Sequence, residues 1–399
     1  MDFWHSLYSL NRHLLSEEVA QHSKNYLLSD RPTGRSDYDN YFWLDGSSDR
    51  TLWAVMEEFI KHRDQLVIPK MEKPEGTTLF FTFAEGWVSE RLINTLHLLI
   101  DWFKITGPCF YECCSVNVQE MYDAYCEKNN LPKKITGVYF NRGFLEKSDP
   151  KTYVAPLNFR ELGAPYEDKR LYTCLNWNGW EHRLALIGLL HYHDLITDGY
   201  VTSPGVHKFS YHPEFDFAML VNGVSSFFEG DEEKEAILQK LTSLRDSYPL
   251  KIDDRSRYHD TDQAIQTTAY VQPIYEARLN GLIEVVSETL YTGEHFFSEK
   301  TFWPMILSKP LIMVTGPGAL VSLKKIGFKT FDPYINESYD LELDPILRLK
   351  KVVLELKRLK ELRINDPVTF KHNYDEMVKI GSFNKAVFAN YRRLGTPTC

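Results

Sequence analysis

Three short apolar runs rich in β formers, TTLFFTF (77–83), CFYECCSVN (109–117) and KITGVYF (134–140), are separated by two segments of helical character. VSERLINTLHLLIDWF (88–103) places Leu92, Leu96, Leu99 and Phe103 on one face, and VQEMYDAYCEKNN (118–130) follows the second run. A strand–helix–strand–helix–strand order leaves few folds open. Connections that return through a helix lay their strands parallel, and the helices then cover the sheet. The rhythm resumes with KRLYTCLNW (169–177) as a strand and EHRLALIGLLHYH (181–193) as a helix. LIEVVSETL (282–290) and KPLIMVTG (309–316) read as buried strands around the helix SEKTFWPMILS (298–308). PGALVSLKKIG (317–327) reads as a helix opened by Pro and closed by Gly, and FKTFD (328–332) as a last short strand. Residues 194–265 read as irregular, with one helix at 232–246.

These blocks predict an α/β protein of two Rossmann-like domains facing a cleft. Residues 1–75, polar and irregular apart from a helical stretch at 51–63, read as an N-terminal extension or cap. Residues 76–165 form the first domain and 166–345 the second, and 346–399 supply C-terminal helices that pack back on them. The 399 residues agree with two to three domains at ~150 residues each. The net charge of −9 disfavours a general nucleic-acid coat, since phosphate binding needs a basic surface. No run of ~18 apolar residues predicts a membrane span, and the first residues lack the basic-then-apolar plan of a signal peptide. Six cysteines, with Cys113 and Cys114 adjacent, form no disulfide framework, so the expected compartment is the reducing cytoplasm.

The segment 286–332 concentrates the chemistry. A strand ends at Ser287 and Glu288, and a helix then opens at Ser298, Glu299, Lys300 and Thr301. Strand ends and helix starts meet at the mouth of an α/β sheet, where ligands bind. A helix N-terminus offers free N–H groups and positive potential to an anion. Lys300 in that first turn opposes the dipole, so an acid or a bound anion is expected beside it. The competing reading is a solvated charge pair behind the capping Ser298. Gly316 and Gly318, around Pro317, give either a close backbone approach for a ligand or a tight strand-to-helix turn. The chain has no GxxxxGK[ST] and no GxGxxG after a strand.

The order SEKT, helix, strand KPLIMVTGPGAL, then GFKTFD resembles a glycosyltransferase module of viral, phage and bacterial proteins. It is similar to the C-terminal donor half of fucosyltransferases, where [ST]-E-K opens a helix against the nucleotide sugar. The resemblance covers about residues 169–332. It implies a GT-B architecture, a nucleotide-diphosphate sugar as donor substrate, and no obligatory metal. LNWNGWEHR (175–183) is similar to the asparagine-to-HR segment of the viral relatives, although the positions between, usually basic or small there, are Trp177, Asn178, Gly179, Trp180 and Glu181 here. The resemblance implies that Asn176, His182, Arg183, Ser287, Glu288, Ser298, Glu299, Lys300, Thr301, Gly316 and Gly318 bind the donor. Arg183 and Lys300 would neutralise the diphosphate, and a glutamate of the N-terminal domain would be the general base. That role passes to Glu85, at the end of strand 77–83, with Glu90 and Asp101 as competitors and a plain turn residue as the alternative. For Arg183 the alternative is a surface ion pair with Glu181 or Asp194.

Asp260 and Asp262 in HDTD form a two-apart carboxylate pair that can hold Mg²⁺ or Mn²⁺, so a metal-dependent transferase is a further reading. His191 reads as a core or surface histidine, and the cysteines lack zinc spacing. PILRLKKVVLELKRLKELR (345–363) places Ile346, Leu349, Val353, Leu356 and Leu359 on one face. It is either an amphipathic helix folded back on the sheet or a patch for a polyanionic acceptor such as DNA. The acceptor is accordingly a glycan or protein hydroxyl, or a hydroxymethylated base of viral DNA. A protein that binds nucleotide or sugar on a degenerate transferase fold is the non-enzymatic alternative.

Overall fold

A computed structural model of the chain describes residues 41–45, 62, 65, 78–83, 90–102, 106–113, 115–139, 164–176, 179–203, 216–248, 250, 268–291, 293 and 295–394. The chain is mixed α/β and divides into two units, residues 1–141 and 142–399, each with its own parallel sheet.

In the first unit the strands β1 (Tyr41–Asp45), β2 (Thr78–Phe83), β3 (Cys109–Cys113) and β4 (Thr136–Tyr139) lie in that order, every pair parallel. Helix α1 (Glu90–Trp102) joins β2 to β3 and α2 (Val118–Lys128) joins β3 to β4, as the helical spacing predicts. The buried face of α1 is Ile93, Leu96, His97 and Ile100. Of the predicted stripe, Leu96 is therefore on the core side, while Leu92, Leu99 and Phe103 lie outside the described side chains. The Tyr122 hydroxyl of α2 accepts from the backbone N–H of Lys134 (2.7 Å) and Ile135 (3.1 Å), and it bonds His97 of α1 at 3.0 Å. One buried hydroxyl thus ties both helices to the chain entering β4. The strand β1 was not predicted, and the helical stretch at 51–63 lies outside the described residues.

The second unit has the order β6-β5-β7-β8, again all parallel, with β5 (Arg170–Leu175), β6 (Gly199–Thr202), β7 (Gly281–Ser287) and β8 (Leu311–Val314). All seven residues of β7 are buried, as a strand covered on both faces requires. Helix α3 (Glu181–Tyr192) follows β5 and is buried from His182 to His191, enclosed by α4 (Phe217–Phe227), α5 (Lys234–Thr242) and the later α9. Helix α6 (Thr268–Asn280) leads into β7, α7 (Glu299–Ile306) joins β7 to β8, and α8 (Ala319–Lys325) follows β8. Two long helices, α9 (Pro345–Asn365) and α10 (Pro367–Leu394), end the unit; α9 packs on β8 and α3, and α10 on α7. Their boundary is legible: Asp344 caps α9 ahead of Pro345, and Asp366 accepts from the Thr369 N–H behind Pro367.

Three expectations are corrected here. FKTFD is not a strand, because side chains take its backbone groups: Asn384 bonds both the N–H and the carbonyl of Lys329, and Glu337 accepts from the Phe331 N–H. Residues 194–265 are not irregular apart from one helix, since β6 and α4 lie within them and Asp216 caps α4 by accepting from the Ala218 N–H. The helix at 317–327 begins only at Ala319.

Beneath the sheet, Glu284 of β7 is held between Arg278 of α6 and Lys309 before β8. Burial drives the Lys309 amine down to about 8, against the attraction of Glu284. Between about pH 8 and the ordinary lysine value near 10.5, the unfolded chain therefore binds more protons than the folded one. This group's contribution to stability rises with pH across that window and is least favourable below it. Lys309→Met leaves the Arg278–Glu284 pair intact, so it is expected to be neutral or stabilising at pH 7. Urea denaturation of wild type and variant at pH 7 and 9.5 checks this: the stability gap should move in favour of wild type at the higher pH.

Candidate functional site

The strand order creates a topological switch point. From β5 the chain passes through α3 to β6 on one side, whereas β7, on the other side of β5, passes through α7 to β8. The two connections diverge at the carboxyl ends of β5 and β7, the place where α/β sheets characteristically form a ligand-binding crevice. Asn176 directly follows β5, and continuing the register Thr173↔Glu284 sets it opposite Ser287 at the end of β7.

The predicted residues of α3 meet the predicted residues of β7 here. His182 donates from Nε2 to the carbonyl of Glu288 at 2.9 Å, and Arg183 donates from Nη2 to the carbonyl of Ser287 at 2.9 Å. Two consecutive side chains thus clasp two consecutive carbonyls. The His182 ring also stacks on Tyr291, 4.9 Å between centroids and 5° from parallel. Burial lowers His182 to about 3, reinforced by the charge of Arg183, so the ring is neutral at physiological pH. Arg183 is no surface ion-pair residue: it is 2% exposed, and Asp194 pairs instead with Lys240 at 2.6 Å. Burial lowers its guanidinium to about 10, opposed by the charges of Glu288 and Glu299, so it remains a cation at neutral pH.

Glu288 supplies the acid that a lysine in the first turn of α7 calls for. Its carboxylate is fully buried and accepts from the Ser298 N–H (2.9 Å), the Ser298 hydroxyl (2.7 Å) and the Thr301 hydroxyl (2.6 Å). Lys300 Nζ donates to Ser298 Oγ at 2.7 Å and lies 3.5 Å from Glu288 and 3.6 Å from Glu299. Glu288, Ser298 and Thr301 therefore build the helix start rather than face outward. The side chains of Lys300 and Glu299 remain 24% and 31% exposed, and these two reach the surface of the site.

The GPG segment is a turn whose helix start is already filled by the protein. Gly318 stands at φ +82°, where a side chain is strained, and its N–H donates to the Asp340 carbonyl. The Asp340 carboxylate accepts from the Leu320 N–H at 3.1 Å; burial raises its pKa and the amides at the start of α8 hold it down. An acidic side chain thus sits at the start of α8, where Gly318 shapes the turn. Asp340, Tyr291, Thr315 and Arg348 were not singled out in the sequence. Arg348 alone left a signal, a basic residue in phase with the buried Val352 and Leu359 of α9.

Three buried polar atoms at the switch point have no hydrogen-bond partner among the described residues: Asn176 Oδ1, Arg183 Nε and Ser287 Oγ. Asn176 and Arg183 are bonded through other atoms, Arg183 through Nη2 to the Ser287 carbonyl. Asn176 exchanges backbone bonds with the Thr202 hydroxyl and donates from Nδ2 to Cys174. Atoms of the same kind lie elsewhere among the described residues, Thr330 Oγ1 and Arg348 Nε for example. What sets these three apart is their common place at the ends of β5 and β7, where each costs about 1–3 kcal/mol unless a ligand bonds it.

Glu85, Asp260 and Asp262 lie outside the described residues. His191 is a core histidine bonded to the Tyr248 hydroxyl at 2.7 Å. The basic helix α9 folds back on the unit. Arg348 is buried, Lys350 pairs with Asp231 and Glu233, Lys351 with Glu342, Arg358 with Glu355 and Lys360 with Asp198, and Arg363 bonds the Lys169 carbonyl. Among the described residues no helix is long and apolar enough to cross a membrane. Compared with known families and characterised proteins, the chain matches no family model and no curated protein.

Proposed function

We propose that the C-terminal unit binds a nucleotide-diphosphate sugar at the β5/β7 switch point and that the protein transfers the sugar to a hydroxyl acceptor, in a GT-B-like arrangement. The observation that carries this reading is the shared position of Asn176 Oδ1, Ser287 Oγ and the buried cation Arg183, none fully bonded, at the switch point beside the partly exposed Lys300. An acceptor, a hydroxyl and two cations match a ligand that brings both hydroxyls and anionic oxygens.

In this reading Lys300 and Arg183 neutralise charge as the diphosphate departs, the electrostatic contribution that is usually largest in catalysis. Burial strengthens Arg183 in that role, because a charge in a poorly solvated place is screened less. Glu299, beside Lys300 and partly exposed, accepts hydrogen bonds from ribose or sugar hydroxyls. Glu288 acts behind them by fixing the first turn of α7. An acceptor hydroxyl needs a general base, and Glu85 of the N-terminal unit is the candidate. The internal pairing of the α9 cations favours a glycan or protein hydroxyl over a base in DNA.

A thermal-shift screen against UDP, GDP, CDP, ADP and their sugars, with and without Mg²⁺, tests the donor site. A nucleoside diphosphate at 100 times its Kd is expected to stabilise the protein by about 2.7 kcal/mol, and Lys300→Ala is expected to abolish the shift. No shift with any of them overturns the reading. Tight binding without hydrolysis or transfer of any donor sugar would instead identify a binding protein on a degenerate transferase fold. Activity lost in chelator would point to a metal held by Asp260 and Asp262.

A further inference from the structure

The turn that links β7 to α7 is held by its carbonyls. Ser287 O is bonded by Arg183, Glu288 O by His182, Leu290 O by the Thr315 hydroxyl at 3.2 Å, and Tyr291 O by Arg348 Nη2 at 2.7 Å. The Glu288 N–H donates to the Val314 carbonyl at 3.1 Å. Four side chains from α3, the end of β8 and α9 thus grip a five-residue stretch in which the β7–β8 ladder ends at Ser287 and Glu288. Side chains that hold a turn this completely fix the groups it carries.

Arg348 is the most remote of the four in sequence and the most heavily engaged. Its guanidinium donates to Tyr291 O and, from Nη1, to Glu342 O at 2.9 Å. Its central carbon lies 4.2 Å from the centroid of the Tyr291 ring. The Tyr291 hydroxyl donates to the Pro345 carbonyl of α9 at 2.9 Å. Tyr291 is therefore bound at both its backbone and its hydroxyl by one helix, and its ring carries His182. His182 in turn bonds Glu288, whose carboxylate builds the first turn of α7 around Ser298 and Lys300.

We infer that Arg348 is a positioning residue for the anion site. It sets the β7–α7 turn through Tyr291, His182 and Glu288, and so fixes where Lys300 stands. A planar fork that bonds two carbonyls and packs against a ring does this in a way that lysine cannot. The role in ligand binding rests on the donor-site reading above; the mechanical link to α7 does not.

The test uses the full chain with Arg348→Met, Arg348→Lys and a control, Val353→Ala, which removes buried volume from the same helix. Two quantities are read: amide exchange at Ser298 and Lys300, and the Kd for inorganic pyrophosphate. Both Arg348 variants are expected to expose the Ser298 and Lys300 amides at denaturant concentrations well below global unfolding. Both are expected to weaken pyrophosphate by between about tenfold and a hundredfold, as misplacement of a binding group does. Val353→Ala, compared at equal global stability, should do neither. If the two amides exchange no faster in the Arg348 variants than in Val353→Ala, the inference is overturned. Faster exchange together with unchanged pyrophosphate affinity overturns the positioning of Lys300. If wild type binds no pyrophosphate, the donor reading is what fails, and the exchange comparison still decides the link to α7.

Discussion

Glu288→Ala is expected to be the most damaging single change in the C-terminal unit, with a loss of about 3–5 kcal/mol. The carboxylate is fully buried and receives the Ser298 N–H, the Ser298 hydroxyl and the Thr301 hydroxyl, with Lys300 at 3.5 Å. Removing it strands three donors in a place without solvent and leaves a cation in the first turn of a helix whose dipole repels it. A domain is stable by only about 5–15 kcal/mol, so a loss of this size takes away a large share. Each kcal/mol corresponds to roughly 2–4 °C in a unit of this length, and calorimetry should show Tm lower by about 6–20 °C. Wild-type stability in Glu288→Ala would mean that the first turn of α7 holds without its acid.

Gly381→Ala reverses the usual sign of a helix substitution. In an exposed helix interior alanine is favoured over glycine by about 1 kcal/mol. A Cβ on Gly381 of α10 would instead lie 2.3 Å from the Ser308 carbonyl oxygen and 2.5 Å from its carbon, both backbone atoms. The turn at Ser308 has little room to yield. Its φ is +57°, and it is closed by Ser308 N–H to Met305 O and Lys309 N–H to Pro304 O. The alternative is for α10 to lift away from α7. Overpacking of this kind costs about 1–3 kcal/mol or more, which outweighs the propensity gain. Chemical denaturation should show a net loss, whereas Ser382→Ala, next to it on α10 and exposed, should change stability by less than about 0.5 kcal/mol.

The elements that were legible are those whose signal is local. β8 is a continuous apolar run, β7 is one apart from Glu284, and α9 carries its own cap and proline. The elements that escaped depend on distant partners. β6 is four residues, GYVT, held mainly by pairing with β5, and α6 contains Pro273, which reads as a break. FKTFD has the composition of a strand, yet Asn384 and Glu337 take the backbone bonds that a neighbouring strand would need.

The site shows the same division. The meeting of Arg183 with the end of β7 was foreseeable from strand-end and helix-start positions. Lys300 signalled that an acid was needed at the start of α7, but not that Glu288 would be the one to turn inward. That Asp340, 20 residues from Leu320, would fill the start of α8 had no local signal. Arg348 sits on a helix whose charges suggested a surface patch, and only the phase of the buried stripe sets it apart.

The order β6-β5-β7-β8 also determines when the crevice exists. β5 pairs with β7 across about 110 residues of chain, Arg170 with Gly281, whereas β7 and β8 pair at short range. Closing so long a loop costs entropy before any pairing energy returns. Until β7 docks, β5 offers one unpaired edge, and His182 and Arg183 have no carbonyls to hold. The crevice is therefore among the last parts of the unit to assemble, both in refolding and on the ribosome, where β7 emerges several seconds or more after β5. A ligand that binds only the finished crevice acts on the unfolding rate rather than on the rate of collapse, which makes it a protector of protein already folded and a poor aid to protein still folding.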